Sequence, residues 1–195
     1  MQKNDTNEQQ ETETSAFDFS AEFDALIGAR GRITPSLLMS VNRYFLYFSF
    51  FESLLLDCSG GQGKSAAYAK ALVERGFFDE KVTNQTFSVF SKRYVGDQQR
   101  YDSLCGENTH TRPDMKKYYY GVMAAHQEEP GTQLELCLFV CFRLRNNLFH
   151  GPKWRYYLEG QEELLLTAGT LIHSILSKAH GKDDWEFQSI LTSTN

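Results

Sequence analysis

The chain has 195 residues, 41% of them hydrophobic and 23% charged, which is enough apolar material for one substantial core and too little length for two full domains. Its formal net charge of −5 excludes a protein that is basic throughout, so any contact with nucleic acid needs a local basic cluster.

Residues 1–15, rich in Gln, Glu, Asn and Thr and without an aromatic side chain, are too polar to offset the entropy of ordering and are expected to form a disordered tail. The same stretch lacks the apolar run of a signal peptide, from which a cytoplasmic protein is expected. A helical domain is expected over 16–182, with a short C-terminal tail over 183–195. Ser36 to Asp57 reads as a helix opened by Pro35 and Ser36 and ended by Gly60, Gly61 and Gly63. Its apolar stretch is interrupted by Asn42, Arg43, Ser49, Glu52 and Ser53, polar groups that are costly in a bilayer, so it reads as a core helix and not a membrane span. Glu52 is a candidate internal partner for a cation such as Arg145, or else it faces solvent.

Lys64 to Arg75 reads as the next helix, closed by Gly76. The turn before it, Ser59-Gly60-Gly61-Gln62-Gly63-Lys64-Ser65, resembles a phosphate-binding loop, but that motif needs glycine where Cys58 stands and a strand where this chain has helix. It reads better as a flexible helix-to-helix turn, with no role for Lys64. A further helix is expected over 84–94, turns over 97–114, and a helix over 115–127 broken by Glu128-Glu129-Pro130-Gly131. Two long helices follow. Gln133 to His150 stops at Gly151-Pro152, and Glu159 to His180 carries Leu164, Leu165, Leu171, Ile172, Ile175 and Leu176 at helical spacing. Without a period-two pattern or an internal repeat, the elements predict an all-α chain: an antiparallel helical bundle with additional short helices.

Four cysteines in an intracellular chain are expected to be reduced thiols. Cys137 and Cys141 lie one turn apart but lack two further ligands, and His110, His126, His173 and His180 have no ligand spacing, so neither a metal nor a cofactor is expected. The anomaly lies in Gln133–His150. At ~100° per residue, Leu134, Leu138, Cys141, Arg145 and Leu148 share one stripe, which places a guanidinium in an apolar row. Such a group must find a carboxylate, line a cleft or meet an anion at an interface. Asn146 and His150 sit one turn apart and about 40° around the helix, so the amide can orient the imidazole. Arg145 and His150 are about 140° apart, so a helix end distorted at Gly151-Pro152, or a second copy of the helix across a two-fold axis, must bring them together. The near-continuous apolar surface of this helix suits burial between its own core and a partner, and a charge placed at Phe142 or Phe149 is expected to weaken a dimer or disturb the core. Arg143, Arg145, Lys153 and Arg155, with no acid between Glu135 and Glu159, form the local basic cluster, and Trp154, Tyr156 and Tyr157 are the aromatic residues nearest to it for base stacking.

Arg145-Asn146-Asn147-Leu148-Phe149-His150 resembles the R-x(4–6)-H signature of the HEPN superfamily, with its usual polar residue after the arginine, and is closest in style to small bacterial members. The motif covers six residues; its place near the end of a penultimate long helix agrees with that fold. The resemblance implies a metal-independent RNA endonuclease acting as a homodimer, in which the two motifs line one cleft. Arg145 would stabilise charge on the phosphoryl oxygens, His150 would act as general base or acid, and Asn146 would orient the imidazole or bind the phosphate. Arg143, Lys153 and Arg155 would contact RNA. Members of this superfamily serve as toxins or phage-defence effectors, which implies an antitoxin or regulatory protein partner. Others bind RNA, a nucleotide or a protein without cleavage, and that non-catalytic module is the alternative reading. Pro152 occupies the position where some members carry a tyrosine modified by a nucleotidyltransferase partner, so that mode of control is not expected here.

Overall fold

Short polar side chains write four of the eight α-helix starts among the described residues. The Asp18, Thr34, Asp79 and Asp97 side chains accept hydrogen bonds from the backbone amides of Ala21, Leu37, Val82 and Arg100, at 3.0, 3.1, 3.1 and 2.9 Å, and so satisfy donors that an isolated helix leaves open. They open α1 (Phe19–Ile27), α2 (Pro35–Leu55), α4 (Glu80–Tyr94) and α5 (Gln98–Cys105) of the computed structural model. The remaining elements are a 3-10 turn (Gln62–Lys64), α3 (Ser65–Glu74), α6 (Pro113–Ala124), α7 (Pro130–His150) and α8 (Glu162–Ala179). The structure describes residues 18–106, 110–150, 158–182 and 190–191, the side chain of His150 excepted. Among the described residues there is no strand, and the chain is all-α.

Two elements differ from expectation. The turn-rich stretch 97–114 contains α5, because Asp97 caps a helix whose apolar face, Tyr101, Leu104 and Cys105, is buried. Pro130-Gly131 opens α7 instead of separating two segments: proline suits the first helical turn, and the Glu129 carboxylate accepts from the amides of Gly131 and Thr132 at 2.9 and 2.5 Å. The segment before α2 supplies a small second core in which Ala29, Ile33, Leu37, Leu38 and Leu158 pack with Phe23 of α1 and Leu148 of α7.

α7 is the axis of the molecule. Every residue from Leu136 to Leu144 is buried, over two turns of helix covered on all sides by the chain itself. Phe139 stacks on Tyr119 of α6 with centroids 4.0 Å apart, Cys137 donates to the Thr83 carbonyl of α4 at 3.9 Å, and Phe142 packs edge-on against Phe48 of α2. The apolar circumference of α7 is therefore satisfied within one protomer, and it does not by itself call for a partner. Cys137 and Cys141 are core side chains whose thiols burial pushes up.

α4 and α8 pack antiparallel, with Asp79 at the start of α4 paired to Lys178 near the end of α8. By contrast α2 and α8 run in the same direction: Ser36 donates to Glu162, Gly169 lies against the Tyr44 backbone, and Tyr47 contacts His173. Five helices separate this pair in sequence, so no short connection constrains their direction. The outer face of α2 leaves Met39, Phe45, Leu46 and Phe50 at 66, 41, 52 and 54% exposure. No helix among the described residues is long and apolar enough to cross a membrane.

Candidate functional site around Arg145

The stripe that carries Arg145 faces α2, and there the guanidinium finds a carboxylate. Its Nη2 pairs with Glu52 of α2 and donates to the Gly60 carbonyl at 3.4 Å, while Nη1 donates to the Asn146 side-chain oxygen at 3.0 Å. Its Cζ also lies 5.7 Å from the Phe48 ring centroid, close enough for cation–π attraction. The pair is partly covered, with Arg145 and Glu52 side chains 24 and 21% exposed. Beneath it the Tyr44 hydroxyl donates to the Cys141 carbonyl at 2.5 Å. Burial raises that hydroxyl's pKa, so it acts as a fixed donor and not as an acid.

The next polar turn of α7 points elsewhere. Arg143 is 3% exposed; its Nε donates to the Leu104 carbonyl at 3.1 Å, Nη1 to Gln62 Oε1 at 3.2 Å and Nη2 to Asn147 Oδ1 at 3.2 Å. Asn147 Nδ2 donates to the same Leu104 carbonyl at 2.9 Å. Leu104 lies in the last turn of α5, where the negative end of the helix dipole partly balances a buried cation. Burial lowers the Arg143 pKa, yet the group has hydrogen-bond acceptors on three sides and stays charged. Arg143 is therefore an internal clamp between α7 and α5, whereas the sequence placed it in a basic cluster expected to contact RNA. The other two members of that cluster, Lys153 and Arg155, lie outside the described residues, as do Trp154, Tyr156 and Tyr157.

The glycine-rich turn, read from sequence as a loose connector, is a strap across α7. Gln62 accepts from Arg143 and donates to the His110 carbonyl at 2.5 Å, and Gly60 supplies the carbonyl above Arg145. A Cβ at Gly60 would stand 2.8 Å from Leu56 Cδ1, 2.9 Å from Glu52 Oε1 and 3.0 Å from Phe142 Cε1, so a larger residue there would force those side chains to shift. The clustering of three glycines around Gln62 was the signal in the sequence; what it served depended on α7 lying underneath.

Of the motif residues, the structure brings Arg145 and Asn146 into contact and places position 150 in the last turn of the same helix. The side chain of His150 lies outside the described residues, and so does any contact between it and Asn146. Beside Arg145, between α2 and α7, opens a cavity of about 250 Å³ whose lining includes Asn42, Tyr44, Phe45, Ser49, Arg145 and Phe149. Phe45 and Phe149 meet at its rim, their centroids 5.4 Å apart. Two other clefts, of about 500 and 480 Å³, are lined by other residues. No family model matches the chain, and neither a curated protein nor a solved structure does. The HEPN resemblance rests on the motif and its helical setting.

Proposed function

We propose that the chain is a metal-independent endoribonuclease of the HEPN type, acting as a homodimer whose two motifs line one cleft. The observation that carries this reading is the placement of Arg145. Its guanidinium is anchored from behind by Glu52, Gly60 and Asn146, and the residue also borders a cavity open at the surface. A cation held in this way can meet a phosphate without first losing side-chain freedom. The 2′-hydroxyl of RNA attacks the adjacent phosphorus, the bond to the 5′-oxygen breaks, and Arg145 stabilises the charge that gathers on the phosphoryl oxygens. His150 moves a proton as general acid or base, since imidazole titrates near neutrality. The products are a 2′,3′-cyclic phosphate and a 5′-hydroxyl end.

Purified protein incubated with RNA in EDTA tests this. Cleavage should persist without metal, stop when the scissile ribose is replaced by deoxyribose, and fall at least a hundredfold in His150→Ala. Arg145→Ala alone would leave Glu52 unpaired and half-buried, so the double variant Glu52→Gln/Arg145→Gln separates lost chemistry from lost fold. Full activity in His150→Ala, or an absolute need for magnesium, would overturn the mechanism. A second reading, a non-catalytic module that binds RNA, a nucleotide or a protein, is favoured by one feature: Glu52 already matches the Arg145 charge. Binding without cleavage by the wild type would select it. A toxin or defence role, with an antitoxin partner, belongs to the first reading; growth arrest on expression, relieved by His150→Ala, is its expected sign.

A further inference from the structure

The cavity beside Arg145 has a composition that an internal packing defect would not need. Its deep wall is Tyr44 and Phe48, both nearly wholly buried, and its rim is Phe45 and Phe149, at 41 and 55% exposure. Aromatic rings of α2 thus border it from the core to the surface, α7 adds Phe149, and Val41 and Leu148 complete the apolar lining. Its lining also includes two polar residues, Asn42 and Ser49, whose side chains have no hydrogen bond to another described residue. Asn42, Phe45 and Ser49 recur on one face of α2, three and four residues apart. An amide offers both donors and an acceptor, which suits the mixed edge of a nucleobase more than it suits an aliphatic ligand. At about 250 Å³ the space is below the range of drug-sized ligand pockets, and a single planar ring system matches it. The cation beside the cavity adds attraction for a phosphate attached to that ring.

We infer that the α2–α7 cavity is a base-binding subsite, in which one nucleobase of an RNA substrate stacks against Phe45 and Phe149 and is read at its edge by Asn42 and Ser49, with its phosphate directed to Arg145. The choice of RNA as ligand rests on the nuclease reading above. Single-stranded or looped RNA is the form that can supply such a base, since its bases can leave the stack.

Isothermal titration of the full-length chain with each of the four ribonucleoside 5′-monophosphates tests the inference. At least one should bind, with affinities that differ among the four bases. Ser49→Leu, which fills the mouth, should weaken that binding about tenfold or more, the order expected from loss of base–aromatic stacking. Asn42→Ala, at an exposed position that cannot unfold the core, should level the differences among the bases. Absence of binding by every monophosphate at millimolar concentration overturns the inference, as does binding unchanged in both variants. Dimer dissociation in Ser49→Leu without any monophosphate binding assigns the cavity to a side chain of a second copy, which also overturns it. The two readings fail separately: RNA cleavage without monophosphate binding removes the subsite and leaves the nuclease, whereas binding without cleavage removes the nuclease and leaves the subsite.

Discussion

Arg145 and Glu52 are each three-quarters covered, so neither can be removed without stranding the other in a poorly solvated place. A wholly buried pair broken on one side costs about 3–5 kcal/mol, and an exposed one about 0–1. This pair lies between, and Glu52→Ala is expected to lower stability by about 1–3 kcal/mol in urea denaturation. The doubly neutral Glu52→Gln/Arg145→Gln should recover part of that loss, since no isolated charge remains. A Glu52→Ala protein as stable as the wild type would mean that the pair is solvated and that Arg145 is not held by it. Arg143 shows the contrasting solution. It has no carboxylate partner among the described residues, and the carbonyl at the end of α5 serves instead. Arg143→Ala leaves the Leu104, Gln62 and Asn147 acceptors with fewer donors, and its cost should appear as stability and not as weaker binding of RNA.

At the scale of elements, the strap between α2 and α3 sets how close those helices come to α7. Gly60→Ala introduces a Cβ within 3.0 Å of three side chains, one of them Glu52. Overpacking of this kind costs about 1–3 kcal/mol, and because Glu52 is pushed, the proposed nuclease activity should fall by more than the loss of folded protein accounts for. Gly63→Ala, where a Cβ meets open space, is the control expected to retain both. The outer edge of α7 carries a second sign of packing against charge. Burial raises the Glu135 pKa, although hydrogen bonds from Tyr119 and Tyr118 work in the opposite direction. A carboxyl that keeps its proton to higher pH when folded makes the folded state bind more protons than the unfolded chain in that window, so stability falls as pH rises through it. Glu135→Gln should therefore match the wild type below about pH 4 and exceed it at neutral pH, as read from urea midpoints at the two pH values. A variant less stable than the wild type at neutral pH would show that the tyrosine hydrogen bonds outweigh the burial.

At the scale of the whole molecule, the proposed homodimer needs an exposed apolar face, and α2 offers one where α7 is buried from Leu136 to Leu144. Met39, Leu46 and Phe50 recur on one face of α2 and stand more than half exposed, and exposed apolar surface of this kind marks association sites. A two-fold pairing through this face is the association that the proposed homodimer would use. The wild type is expected to run as a dimer in light scattering, and Leu46→Asp/Phe50→Asp as a folded monomer with little nuclease activity. A wild-type protein that stays monomeric at high concentration would remove the composite cleft. Phe142 is unsuitable for this test because at 1% exposure it belongs to the core, and a charge there should unfold the chain before it affects assembly.

The sequence alone determined the helical class, because helical periodicity, caps and glycine stops act within a few residues of one another. It determined the long helices closely enough to place Arg145 in an apolar stripe, and the cost of burying that charge was sufficient reason to look for Glu52 93 residues away. It missed α5, where Asp97 was a legible cap but the stretch beyond it looked like turn. What only the tertiary structure decided were matters of which face meets which helix. Two arginines two residues apart project to different neighbours, so one enters the α5 clamp and the other the α2 pair. Three glycines became a strap because α7 lies beneath them, and the apolar surface of α7 was consumed by its own chain while α2 kept an exposed one. Local sequence sets the period of a helix, but the contents of its surroundings come from segments far along the chain, and burial is a property of those surroundings.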